Sequence, residues 1–209
     1  MQFTRVIPVL LLKNNGLVKT IKFKNSKYIG DPINAMRIFN TKEVDELVIL
    51  DIMATKNKRE PDYKLIKEIV SEAFMPIGYG GGINKLEQIK KLFLIGVDKI
   101  IINSAAILEP DLIKKATEIY GNQSIVVSVD VKKNLLGNYK LYSYSSKKKL
   151  KLDLLQFIKK IESLGAGEII INSVDNDGTM NGYDTALLEL VSTAFFKSSI
   201  FPAPPRAIT

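Results

Sequence analysis

Residues 125–132 read IVVSVDVK, a run of β-branched residues that closes on a carboxylate, Asp130. β-Branched side chains suit a pleated surface, and an unbroken apolar run implies a strand buried on both faces. Other segments repeat the form: an apolar run ending in Asp, Asn or glycines, then a loop, then a helical pattern. They are RVIPVLLLK (5–13), DELVILDI (45–52, with Asp51), MPIGYGGG (75–82), DKIIINS (98–104) and GEIIINS (167–173). Pro8 is tolerable near the start of the first. Asp31-Pro32 opens the first helix, with Asp as cap and Pro in the first turn.

Strand and helix thus alternate about six times, which predicts a parallel sheet covered by helices. A doubly wound sheet would carry a glycine-rich fingerprint at its first turn, where only Gly16 is found. Polar residues at nearly every strand's C-terminal end point instead to the α/β class and a TIM (β/α)8-type barrel, incomplete here with about six βα units. DKIIINS and EIIINS echo one another, as in an internal duplication. Residues 14–30 and 134–149 read as long polar loops, the first as a lid or binding loop. The whole chain, 1–209, reads as a single domain lacking strands seven and eight. Residues 193–209 form an atypical, proline-rich tail, as in a truncated gene product.

Lys and Arg number 30 against 22 Asp and Glu, a net charge of +8, which suits an anionic partner such as a phosphorylated small molecule. No basic run is interleaved with aromatics, which argues against nucleic acid, and 147–149 reads as a solvated lysine loop. The absence of Cys and His excludes thiol nucleophiles, Cys or His metal sites and Ser-His-Asp triads. Acid–base work falls to Asp, Glu, Lys or Tyr, and no cofactor or metal is expected. The apolar run near the N-terminus is too short for a membrane span, so a cytoplasmic protein without membrane contact is expected.

Asp51 and Asp130 are candidate acids or bases, the alternative being loop caps or partners of rim lysines. Gly80–Gly82 follows a strand and precedes a helix, where backbone N–H groups cradle a phosphate or simply make a tight turn. Asn103 and Ser104 bring further donors to the same rim, and Asp177-Gly178-Thr179 repeats the theme in the second half. Lys19, on the first long loop, is a candidate substrate contact. Arg5, Glu46, Lys99 and Glu168 stand at strand starts, where a barrel would gather them into a ring of alternating charge. Such charges normally mean stability or nothing measurable.

From residue 5 to about 191 these stretches together resemble HisF, the cyclase subunit of imidazole glycerol phosphate synthase. The resemblance rests on RVIP, GDP, DELVILDI, GGGI, DKIIINSAAI, GNQSIVVSVDVK, GAGEIIINSVDNDGT and GYD. It implies a (β/α)8 barrel that binds a doubly phosphorylated ribonucleotide-derived substrate and receives ammonia from a HisH-like glutaminase. On that resemblance Asp130 is catalytic. Gly82, Asn103 and Ser104 form one phosphate site, and Asp177 with Gly178 part of the other. Arg5, Glu46, Lys99 and Glu168 form the ammonia gate, Asp98 a glutaminase contact and Lys19 the lid lysine. The second catalytic Asp of the family falls at Leu11, which cannot transfer a proton. IPVLLLK, GLVKTIKF and GDPIN resemble a WbuZ-like paralogue branch, which implies ammonia supply to a sugar amidotransferase making amidino sugars. The alternatives are a cyclase of histidine biosynthesis, with Asp51 replacing the missing carboxylate, and an inactive remnant.

Overall fold

The computed structural model describes residues 5–146, 148–195 and 200–202. The chain forms two compact units, residues 1–19 with 27–101 and residues 20–26 with 102–209. The boundary falls inside the fourth apolar run, between Ile101 and Ile102, so Asn103 and Ser104 belong to the second unit.

In the first unit β1 (Val9–Lys13) pairs in parallel with β4 (Leu47–Asp51). β4 pairs with β5 (Ile77–Gly80), and β5 with β6 (Lys99–Ile102). Helices α1 (Pro32–Thr41), α2 (Tyr63–Glu72) and α3 (Leu86–Leu94) bury Met36, Phe39, Ile66, Ile69, Ile89 and Leu92. In the second unit β7 (Ile125–Lys133) pairs in parallel with β10 (Glu168–Ser173). The three-residue β11 (Ile200–Pro202) adds to β10, also in parallel. Its helices are α4 (Ser104–Leu108), α5 (Asp111–Tyr120), α6 (Leu154–Ser163) and α7 (Thr185–Ser192). The α/β class and the mostly parallel βα repeat agree with the barrel-type expectation.

Aspartates start four of these helices. Asp31, Asp62, Asp153 and Asp184 accept from the backbone N–H of Asn34, Leu65, Gln156 and Leu187 at 3.0, 3.1, 3.0 and 3.2 Å. Each satisfies a donor that the first helical turn leaves open.

Both supposed long loops contain strands. Residues 14–30 form β2 (Gly16–Ile21), antiparallel to β1, and β3 (Lys24–Gly30). Asn14 and Asn15 join β1 to β2 with φ of 50° and 63°, and Lys22 and Phe23 join β2 to β3 with φ of 52° and 57°. Paired positive φ values make two-residue hairpins whose twist matches the strands. Residues 134–149 contain β8 (Tyr139–Ser143), antiparallel to β7, and β9 (Lys148–Lys149) beside β8. The lysine run is therefore partly strand, with Lys147 outside the described residues. Of the tail set apart by sequence, residues 196–199 and 203–209 also lie outside them. Among the described residues no helix is long and apolar enough to cross a membrane.

Candidate active site

In the second unit β7 and β10 run in register, with Glu168 beside Val126, Ile170 beside Ser128 and Asn172 beside Asp130. Alternation puts these six side chains on one sheet face, with Asp130 and Asn172 at its C-terminal end. Asp130 is only 6% exposed. One of its oxygens accepts from Asn172 Nδ2 at 2.8 Å, the other from Asn103 Nδ2 at 3.2 Å. The same two amides bind Ser128, Asn172 through its hydroxyl at 3.0 Å and Asn103 through its carbonyl at 2.9 Å. Burial pushes the Asp130 carboxyl up to about 6, against the pull of the two amide hydrogen bonds. A carboxyl titrating there exchanges protons near neutrality, as acid–base catalysis requires.

Asn172 escaped the sequence reading, although a signal was present. The EIIINS echo of DKIIINS places Asn172 where Asn103 stands in the first motif. Ser104 lies next to this cluster, its hydroxyl 3.4 Å from Asn103 Oδ1. Asn103 itself is engaged with Asp130 and Ser128.

Asp177 and Gly178, in the loop after β10, meet residues 20–26. The Asp177 carboxylate accepts from Thr20 Oγ1 at 2.8 Å and Phe23 N at 2.9 Å, and its carbonyl accepts from Lys22 N at 2.9 Å. Burial raises the Asp177 pKa, while the Phe23 and Thr20 hydrogen bonds oppose the rise. Gly178 has φ +66°, and a Cβ there would stand 2.1 Å from the Thr20 carbonyl oxygen. Glycine is required by that approach.

In the first unit Glu46, 9% exposed, ion-pairs with both Arg5 and Lys99, the latter at 2.7 Å. Lys99, Gly78, Val48 and Val9 stand in register, as do Ile101, Gly80, Leu50 and Leu11 one pair further on. The ion cluster therefore begins, and Leu11 ends, the same sheet face. Glu168 starts β10 in the second unit and is buried. Asp98 is exposed, and its carboxylate accepts from Ile77 N at 2.8 Å. Lys19 is half-buried on β2, not on a loop.

Asp51 takes the opposite face, in register with Leu12. Its carboxylate accepts from Met53 N at 2.9 Å, Ala54 N at 3.0 Å and Arg59 Nη2 at 2.5 Å. It caps the following loop, the second of the two roles open to it from sequence. Gly82, with φ +72°, donates its N–H to Thr55 Oγ1 at 3.3 Å, and a Cβ on it would stand 2.7 Å from the Arg59 carbonyl oxygen. Among the described residues no group of Asp and Glu is disposed to hold a metal ion.

Fold and site define an α/β protein of barrel type with a buried carboxyl, Asp130, held by two amides at a strand's C-terminal end. Residues 5–201 match the family model described as "Histidine biosynthesis protein". The chain is 49% identical over 189 residues to a Pseudomonas aeruginosa protein provisionally named imidazole glycerol phosphate synthase subunit hisF2, covering 90% of this chain and 75% of that one. A Leptospira borgpetersenii protein provisionally named as subunit HisF is 48% identical, with the same coverage. Subunit HisF of imidazole glycerol phosphate synthase from Chlorobium luteolum is 40% identical over 91% of this chain and 75% of its own. The chain belongs to the HisF family of histidine-biosynthesis proteins.

Proposed function

We propose that this protein is an ammonia-conducting HisF paralogue in which the cyclisation chemistry has been lost. The observation that carries this reading is on the first unit's sheet face, which begins at Arg5–Glu46–Lys99 and ends at Leu11. A glutaminase partner docks near Asp98 and releases ammonia at the ion cluster, where Glu46 holds two cations; Glu168, at the start of β10, is the second unit's gate residue. A hydrocarbon at position 11 can neither take nor give a proton, so Asp130 lacks its acid–base counterpart. Asp51 does not substitute, because it faces the other way and is committed to Arg59 and two backbone amides. The ammonia then passes to a sugar amidotransferase of surface-polysaccharide synthesis, the role of the WbuZ-like branch. A phosphorylated acceptor would meet the second unit's strand ends through Ser104 and Gly178; Gly82 and Lys19 are the candidate contacts of the first unit.

The gate is tested by Lys99→Ala. Transfer driven by glutamine should fall by about tenfold while transfer driven by free ammonia is unchanged; equal losses in both would count against a gate.

The second reading, a cyclase of histidine biosynthesis, is favoured by the intact Asp130 cluster. It predicts that the protein, given ammonia and the cyclase substrate, forms imidazole glycerol phosphate at a normal rate. The first reading predicts no product, and at most partial recovery in Leu11→Asp.

A further inference from the structure

Beyond Asp130, β7 leaves the strand-end cluster and pairs with β8 as a two-stranded ribbon. Its register sets Val131 opposite Leu141, Lys132 opposite Lys140 and Lys133 opposite Tyr139. One step back along that register, Tyr142 comes opposite Asp130, and the Asp130 charge contributes to a raised Tyr142 pKa after burial. Alternation therefore puts Asp130, Lys132, Lys140 and Tyr142 on one face of the ribbon.

Like charges directly opposite one another across a ladder destabilise it. The ribbon's other face avoids such a conflict: Lys133 Nζ reaches Asp184 Oδ2 at 3.5 Å and lies 4.9 Å from the Tyr139 ring centre. On the Asp130 face, Lys132 Nζ lies 5.5 Å from the Tyr142 ring centre, and among the described residues neither Lys132 nor Lys140 pairs with a carboxylate. Asp130 does not ion-pair with them among the described residues, and its oxygens accept from Asn103 and Asn172 instead. The Phe23 ring packs edge-on against Tyr142 and Tyr144, at 6.5 and 5.8 Å between centres, and walls the ribbon on that side. Two lysines directly opposite in the register, beside an aromatic wall, make a site for an anion, which would offset the repulsion between like charges on one face.

We propose that Lys132 and Lys140 form a phosphate-binding subsite, with Tyr142 as its wall, for a phosphorylated ligand whose other end meets Asp130. This subsite is separate from the groups at Gly82, Ser104 and Gly178, and it stands whether or not the protein conducts ammonia. It also explains why a ribbon would keep an opposed lysine pair, since binding and folding place opposite demands on it.

The test is a titration of 15N-labelled full-length protein with inorganic phosphate at low salt, read residue by residue by NMR. The amides of Lys132, Lys140 and Tyr142 should shift and saturate. Lys132→Gln and Lys140→Gln should each weaken the response of the remaining amides about tenfold, the worth of one charge-assisted hydrogen bond. Phosphate-induced shifts at Gly82 or Gly178 should not change. Each substitution should also raise the Tm by about 1–3 °C, because it relieves the opposed charges. Absence of shifts on the ribbon would overturn the proposal. So would an equal loss in Lys148→Gln, which would mark a diffuse charge effect, or a fall in Tm with the loss of binding, which would mark structural lysines.

Discussion

Two amide side chains decide what Asp130 can do. Asn103 and Asn172 each spend an N–H on it and fix it between them, yet burial outweighs them and leaves the carboxyl titrating at about 6 rather than 3.8. Between those values the folded chain holds a proton that the unfolded chain has released, so stability falls as pH rises. The contribution is complete below about pH 4 and is lost as pH passes through about 6. Asp130→Asn removes the buried charge, and the flanking amides can turn their oxygens toward the new donor. The variant should melt about 3 °C higher at pH 8 and show a flatter Tm profile between pH 4 and 7, as thermal denaturation across that range would reveal. A lower Tm at pH 8 would mean that the charge itself holds the strand ends together. Asp130 was legible in the sequence because a carboxylate at the end of a β-branched run has few structural reasons to be there. Asn172 was not picked out, because an amide after three isoleucines reads equally well as a strand terminus. The role of Asp51 was undecidable until register placed it on the face away from Leu11.

The regular elements were largely legible, since continuous apolar runs and Asp caps are local signals. The hairpins were missed for a local reason as well. Asn14-Asn15 before Gly16 carries a turn signal, but the polar residues of 19–30 obscure the alternation that marks a strand. Lys22-Phe23 carries no turn signal at all; its positive φ values are sustained by hydrogen bonds to Asp177, more than 150 residues away in sequence. That dependence gives a test at this scale. Gly178→Ala would drive a Cβ into the Thr20 carbonyl and pull the β2–β3 tip from its anchor. Amide exchange at Lys22 and Phe23 should quicken by at least tenfold, while Val127 and Ile169, in the core of β7 and β10, keep their protection. If those core amides lose protection equally, the tip is integral to the unit and not an attached element.

At the scale of the molecule, the division at residue 101 cuts through DKIIINS and leaves Asn103 with Asp130 in the second unit. Each unit supplies its own parallel strands and buries its own apolar side chains under its own helices. Ile49, Ile77, Ile69 and Leu92 are buried in the first, and Ile113, Val127, Ile158 and Ile169 in the second. Each also carries its polar chemistry on one sheet face, with a buried glutamate at the strand starts, Glu46 in one and Glu168 in the other. The strand ends differ: the second unit has Asp130 with two amides, whereas the first ends in Leu11, Leu50 and Gly80. Two units built in this way should open in two cooperative steps. Native-state hydrogen exchange in low denaturant should sort the slow amides into two groups, Ile49 and Ile77 against Val127 and Ile169, with different free energies of opening. Glu46→Ala should lower the first group, because it removes the carboxylate that Arg5 and Lys99 share, at a cost of about 1–2 kcal/mol once solvent screening at the exposed Arg5 is allowed for. The second group should hardly change. If all four amides exchange with one free energy, and Glu46→Ala lowers them together, the division at residue 101 has no counterpart in the energetics and the chain folds as one unit.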